Sequence, residues 1–81
     1  MTLPHDLDPD KLSEAALAIL GLTARTEHGT TRAWKGMDWS LLDALFERGW
    51  ICDPKGKAKS VVLTDEGARL AEQFLQRHFG R

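Results

Sequence analysis

The stretch Asp53-Pro54-Lys55-Gly56-Lys57-Ala58-Lys59-Ser60-Val61-Val62-Leu63-Thr64 decides how the rest of the chain is read. Asp first, Pro second and Gly fourth are the residue preferences of a type I turn, so Asp53–Gly56 is predicted to reverse the chain. From Lys57 the pattern alternates. Lys57, Lys59, Val61 and Leu63 fall on one face, and Ala58, Ser60, Val62 and Thr64 on the other, as in a strand. Trp50-Ile51-Cys52 supplies a short apolar strand before the turn. The prediction is a two-stranded hairpin anchored by Val61 and Leu63, with its lysines continuing that face beyond the core.

Helical patterns flank this hairpin. Downstream, Thr64 is a cap and Asp65 and Glu66 suit the positive end of a helix dipole. A helix is expected from there to about residue 78, with Ala68, Ala71, Phe74, Leu75 and Phe79 as its stripe and Leu70 on one flank. His78 is expected near its C-terminus, and Gly80 ends it. Upstream, Asp38 caps a helix of about residues 39–48 with Leu41, Leu42, Leu45 and Phe46 inward, and Gly49 takes the left-handed C-terminal position. Its outward side chains are Ser40, Asp43 and Glu47. Asp8-Pro9 starts a first helix of about residues 9–24, in which Leu12, Ala15, Ala16, Ile19, Leu20 and Leu22 recur at helical spacing. Its alanines permit close approach of another helix. Residues 1–7 read as a flexible lead-in. For residues 26–36 two readings stay open: a short edge strand at Thr30–Lys35 after a turn at Glu27-His28-Gly29, or an irregular connector.

At 81 residues, the chain is expected to be one domain spanning residues 1–81 with a small core. Hydrophobic residues at 42% and charged residues at 28% fit a soluble globular protein. No apolar run approaches the roughly 20 residues that cross a bilayer, and the acidic N-terminus has no signal-peptide pattern. With one cysteine, Cys52, and no export signal, a cytoplasmic location is expected. The net charge of −1 creates no global field for a polyanion. Charge is nevertheless segregated. Asp6, Asp8, Asp10, Lys11 and Glu14 make residues 1–24 acidic, and Asp38, Asp43, Glu47 and Arg48 do the same for 38–49. Arg25, Glu27, Arg32 and Lys35 make 25–37 basic, and Asp53, Lys55, Lys57 and Lys59 do so for 50–64.

The order helix, short strand or loop, helix, hairpin, helix matches an α+β, winged-helix-like domain of three main helices with a two-stranded wing between the second and third. The segment LLDALFERGWI (41–51), the hairpin and VVLTDEG (61–67) resemble the recognition helix end, wing and last-helix start of small bacterial regulators of the MarR and PadR types. The residues that carry this are Leu42, Leu45, Gly49, Ile51, Leu63, Thr64 and Gly67. One departure is visible: residues 26–37 are too short, and too interrupted by Gly29 and Gly36, for the helix that braces the recognition helix in those regulators. The phrases RAWKGMDW (32–39) and DPKGKAKSVVLTDEG (53–67) resemble, over nearly the whole chain, a family of small bacterial domains of unknown function. That resemblance implies the fold and a bacterial source, and no activity.

The leading functional expectation is a nucleic-acid-binding, transcription-regulator-like module. Lys55, Lys57 and Lys59 would contact phosphates, helped by Arg32 and Lys35, with Arg25 adding to the patch. The acidic outward side of the second helix favours the alternative, a protein-interaction or dimerisation module without nucleic-acid affinity. Self-association is expected in either case, through Leu12, Ile19, Leu70 and Phe74 on the terminal helices. Trp39 and Trp50 are expected as core anchors. Trp34 fits the core and an exposed stacking role equally well. The chain is not expected to be an enzyme. Cys52 reads as a small buried hydrophobe, and His5, His28 and His78 lack metal-ligand spacing. No catalytic residue, cofactor, metal or small-molecule ligand is indicated.

Overall fold

Each helix begins at a side-chain cap. In the computed structural model, which describes residues 6–56 and 58–81, Asp8 Oδ1 accepts from the N–H groups of Asp10 (2.9 Å) and Lys11 (3.4 Å) and opens α1, Pro9–Thr23. Asp38 Oδ2 accepts from Ser40 N–H at 2.9 Å and opens α2, Trp39–Glu47. Thr64 Oγ1 accepts from Gly67 N–H at 3.0 Å and opens α3, Asp65–Phe79. These caps satisfy N–H groups that no helical carbonyl can reach. Gly49, at φ +77°, closes α2 as expected. Gly49 N–H donates to Phe46 O at 2.9 Å and Trp50 N–H to Leu45 O at 3.1 Å, the paired bonds of a Schellman ending.

Between α1 and α2 the chain builds two strands. β1 (Arg25–Glu27) and β2 (Thr30–Trp34) are joined by His28-Gly29, whose φ values of +52° and +79° mark a two-residue type I′ hairpin turn. β2 then pairs antiparallel with β3, Ser60–Leu63, with Thr31 opposite Leu63 and Ala33 opposite Val61. The sheet order is β1-β2-β3.

The expected two-stranded wing is therefore corrected: the sheet has three strands, and β2, read from sequence as an edge strand or connector, is its centre. Residues 50–52 contribute only a bridge from Ile51 to the other side of Leu63, with Cys52 N–H on Val62 O (2.8 Å) and Thr64 N–H on Trp50 O (3.0 Å). The described residues between Asp53 and Lys59 form a loop rather than a strand continuing Ser60–Leu63. Asp53 shapes it locally by accepting from Lys55 N–H at 2.9 Å. A tether from β2 holds the loop at the end of the sheet. Lys35 N–H donates to Lys59 O at 2.9 Å, and Lys35 Nζ donates to Pro54 O (2.6 Å) and Gly56 O (3.2 Å). The loop is drawn back over the sheet end, and Pro54 is buried beneath it.

α1, α2 and α3 and the inner face of the sheet share one core. Leu17, Leu20, Leu42, Leu45 and Ile51 are at its centre, and Ala33, Val61 and Leu63 are the sheet's contribution. α1 and α3 approach closely, as the small residues suggested: a β-carbon on Gly21 would lie 2.6 Å from that of Ala71. Buried Ser13 satisfies its hydroxyl on Pro9 O at 2.8 Å. At the α3 start, Thr64 Oγ1 also donates to Gly49 O at 2.8 Å, fastening the end of α2 to the beginning of α3. Among the described residues, no helix is long and apolar enough to cross a membrane.

Candidate nucleic-acid interface

Strand alternation sorts the sheet residues. Thr31, Ala33, Val61 and Leu63 face the helices. Arg25, Glu27, Thr30, Arg32 and Trp34 face away and are exposed, with Ser60 and Val62 half-buried beside them. Thr23, Arg25, Glu27, His28, Thr30, Arg32 and Trp34 line an open concavity on this outer side.

The register makes Arg25 and Arg32 directly opposed cross-strand neighbours. Like charges so placed are destabilising. Arg32 Nη1 donates to Ser60 Oγ at 2.9 Å, which fixes its guanidinium over the sheet. The Arg25 side chain has no hydrogen-bond or ion-pair partner among the described residues. Beside them Trp34 is 69% exposed. Its ring is seated on Gly36, where an added β-carbon would lie 2.8–3.0 Å from three ring atoms. Only glycine leaves room for the indole in that position.

The five side chains expected to contact nucleic acid separate. Arg32 stands on the outer face. Lys55 and Lys59 are exposed on the loop, and Lys57 lies outside the described residues. Lys35 is half-buried and holds the loop; its ammonium also lies 5.8 Å from the Trp39 ring centroid. The four residues expected at a dimer interface also separate. Ile19 is 52% exposed, Leu12 and Leu70 are half-buried, and Phe74 is in the core with its ring 5.4 Å from that of Trp50.

Three further expectations are corrected. Trp50 is an anchor, but Trp39 is 54% exposed. Cys52 is exposed, since alternation buries its neighbour Ile51. Phe46, expected to point inward on α2, is 40% exposed. His78 lies in the last turn of α3 as expected, and its Nε2 is also 2.7 Å from Glu14 Oε1 of α1. α2 presents Asp43 and Glu47 outward, as read from sequence. The arginine register and the glycine seat under Trp34 were not legible. Their only local signal was His28-Gly29 flanked by β-branched residues.

The whole described fold lies within one recognised family. The model of the family described as "Domain of unknown function (DUF6429)" matches residues 8–81. A protein of the bacterium Sinorhizobium fredii (strain NBRC 101917 / NGR234), named "Uncharacterized protein y4hR", is 51% identical over 76 residues, covering 94% of this chain and 99% of that protein. No solved structure matches.

Proposed function

This chain belongs to the DUF6429 family, and we propose that it is a nucleic-acid-binding module whose contact surface is the outer sheet face together with the loop after Cys52. The observation that carries the reading is the Arg25–Arg32 pair beside the exposed Trp34. A phosphate chain crossing the two guanidiniums relieves their repulsion and releases counterions. The indole offers a platform on which a base stacks, a contact worth about 1–3 kcal/mol. Lys55 and Lys59 extend the basic track onto the loop.

In a winged-helix reading of the element order, that loop is the wing and α2 the recognition helix. The acidic residues Asp43 and Glu47 would then face a duplex groove and repel its phosphates. The charge distribution favours a single strand lying on the sheet over a duplex held by α2.

Fluorescence anisotropy with labelled single-stranded and duplex oligonucleotides at two salt concentrations tests this. Single-strand binding that weakens steeply with salt is expected, with a salt slope smaller by about 1 for each of Arg25→Ala and Arg32→Ala. Trp34→Ala is expected to weaken it about tenfold or more. Absence of binding at low salt defeats the proposal. That result would favour a protein-interaction role for α2, whose exposed Trp39 and Phe46 stand among carboxylates.

A further inference from the structure

The outer concavity carries one carboxylate, Glu27, among its basic side chains. The register orders the face. Trp34 lies at one end of β2, the opposed Arg25 and Arg32 lie in the middle, and Thr30 lies at the other end, directly opposite Glu27. Trp34 and Thr30 are four residues apart, about 13 Å along a strand. Glu27 stands two residues from Arg25 on the same side of β1, yet its carboxylate makes no ion pair or hydrogen bond with any described residue. Both of its oxygens are open to a ligand. The Thr30 hydroxyl also has no partner among the described residues.

On a surface that attracts phosphate, an unpaired carboxylate weakens sequence-independent binding, which depends on positive charge. It contributes where it accepts from a base, because an ionised carboxylate is an acceptor at both oxygens. Single-stranded bases expose their Watson–Crick edges to such groups. Guanine presents two N–H donors side by side there, N1–H and N2–H, which match the two oxygens of a carboxylate. Adenine and cytosine place a ring-nitrogen acceptor beside their amino group, which a carboxylate repels. Thymine and uracil offer a single N–H between two carbonyls. We infer that Glu27 makes the sheet face selective for guanine. One base stacks on Trp34, the phosphates cross the two arginines, and a guanine further along donates N1–H and N2–H to Glu27 while Thr30 supplies a hydroxyl donor for O6. This rests on the sheet-face reading and names the base that the face prefers.

The test is fluorescence anisotropy with a short labelled oligothymidine and with the same strand carrying guanine, inosine, adenine or cytosine at one central position. The wild type should bind the guanine strand about tenfold more tightly than the others, the scale of one good bidentate contact. Inosine lacks the N2 amino group and should fall with the weaker strands. Glu27→Gln should lose the guanine preference, whereas Arg25→Ala should weaken every strand alike. Equal wild-type affinity for all the strands overturns the inference and leaves the sheet-face reading standing. So does a Glu27→Gln variant that tightens every strand alike and keeps their order, since the carboxylate then acts only as a repelling charge. Absence of binding to every strand at low salt overturns both.

Discussion

Gly67 lies directly against the backbone of Trp50: a β-carbon on Gly67 would come within 1.8 Å of the Trp50 carbonyl oxygen. The same oxygen accepts from Thr64 N–H at 3.0 Å. The first turn of α3 is thereby pressed onto the chain that leaves α2, and no side chain fits between them. Gly67→Ala is expected to cost about 3 kcal/mol or more, because backbone and not a flexible side chain must move. In a domain of this size that lowers the melting temperature by about 12 °C or more. A thermal melt giving less than a third of that drop would show that the two segments separate easily.

Lys35 controls the loop. Its ammonium donates to the carbonyls of Pro54 and Gly56, and its backbone N–H holds Lys59. Lys35→Met keeps the stem and removes both charge-assisted bonds, for an expected loss of about 1.5–3 kcal/mol. The loop should then open before the domain does. Brief trypsin treatment should cut the variant after Lys55 or Lys59 well before cutting elsewhere. Equal cleavage of variant and wild type would count against the tether.

Gly36 separates folding from binding. Its φ is not in the left-handed region, so alanine is tolerated by the backbone and clashes only with the Trp34 ring. Gly36→Ala should change stability by about 0.5 kcal/mol or less, as an exposed substitution does. It should nevertheless weaken single-strand binding nearly as much as Trp34→Ala. Binding at wild-type strength would show that the indole's seat does not matter.

The β1–β2 turn can be improved. His28 adopts φ +52°, which costs most residues about 1–2 kcal/mol. Asn tolerates that conformation, and Asn-Gly is the preferred type I′ pair. His28→Asn is expected to stabilise the domain by about 0.5 kcal/mol, measured as a shift in the urea midpoint at constant slope.

The helices were legible because their ends are encoded locally. Asp8-Pro9, Asp38, Gly49 and Thr64 each act on N–H or C=O groups a few residues away. Val61 and Leu63 were legible as core residues for a similar reason: alternation within four residues places both inward. The central strand was not legible. Only Ala33 of β2 is buried, so the segment lacks a hydrophobic signature, and the strand it pairs with lies about 30 residues later. The lysine row was misread because alternation was extended from Ser60–Leu63 back into a loop whose path is held by the Lys35 side chain on Pro54 O and Gly56 O. The outer face was half legible. Basic residues and Trp34 were visible in sequence, but their juxtaposition depends on the Arg25–Arg32 register, which no local pattern specifies.

The pairing of α1 with α3 has a consequence for how the protein is made. α1 leaves the ribosome first, and Gly21 finds its neighbour Ala71 only after the last helix has been synthesised. At about 5–20 residues per second, the apolar run Ala15–Leu22 stays without its intramolecular cover for seconds. During that interval it is the segment most open to chaperone capture or to association with other nascent chains. A delay imposed once residues 15–22 have cleared the exit tunnel should therefore reduce soluble yield more than the same delay imposed before they clear it.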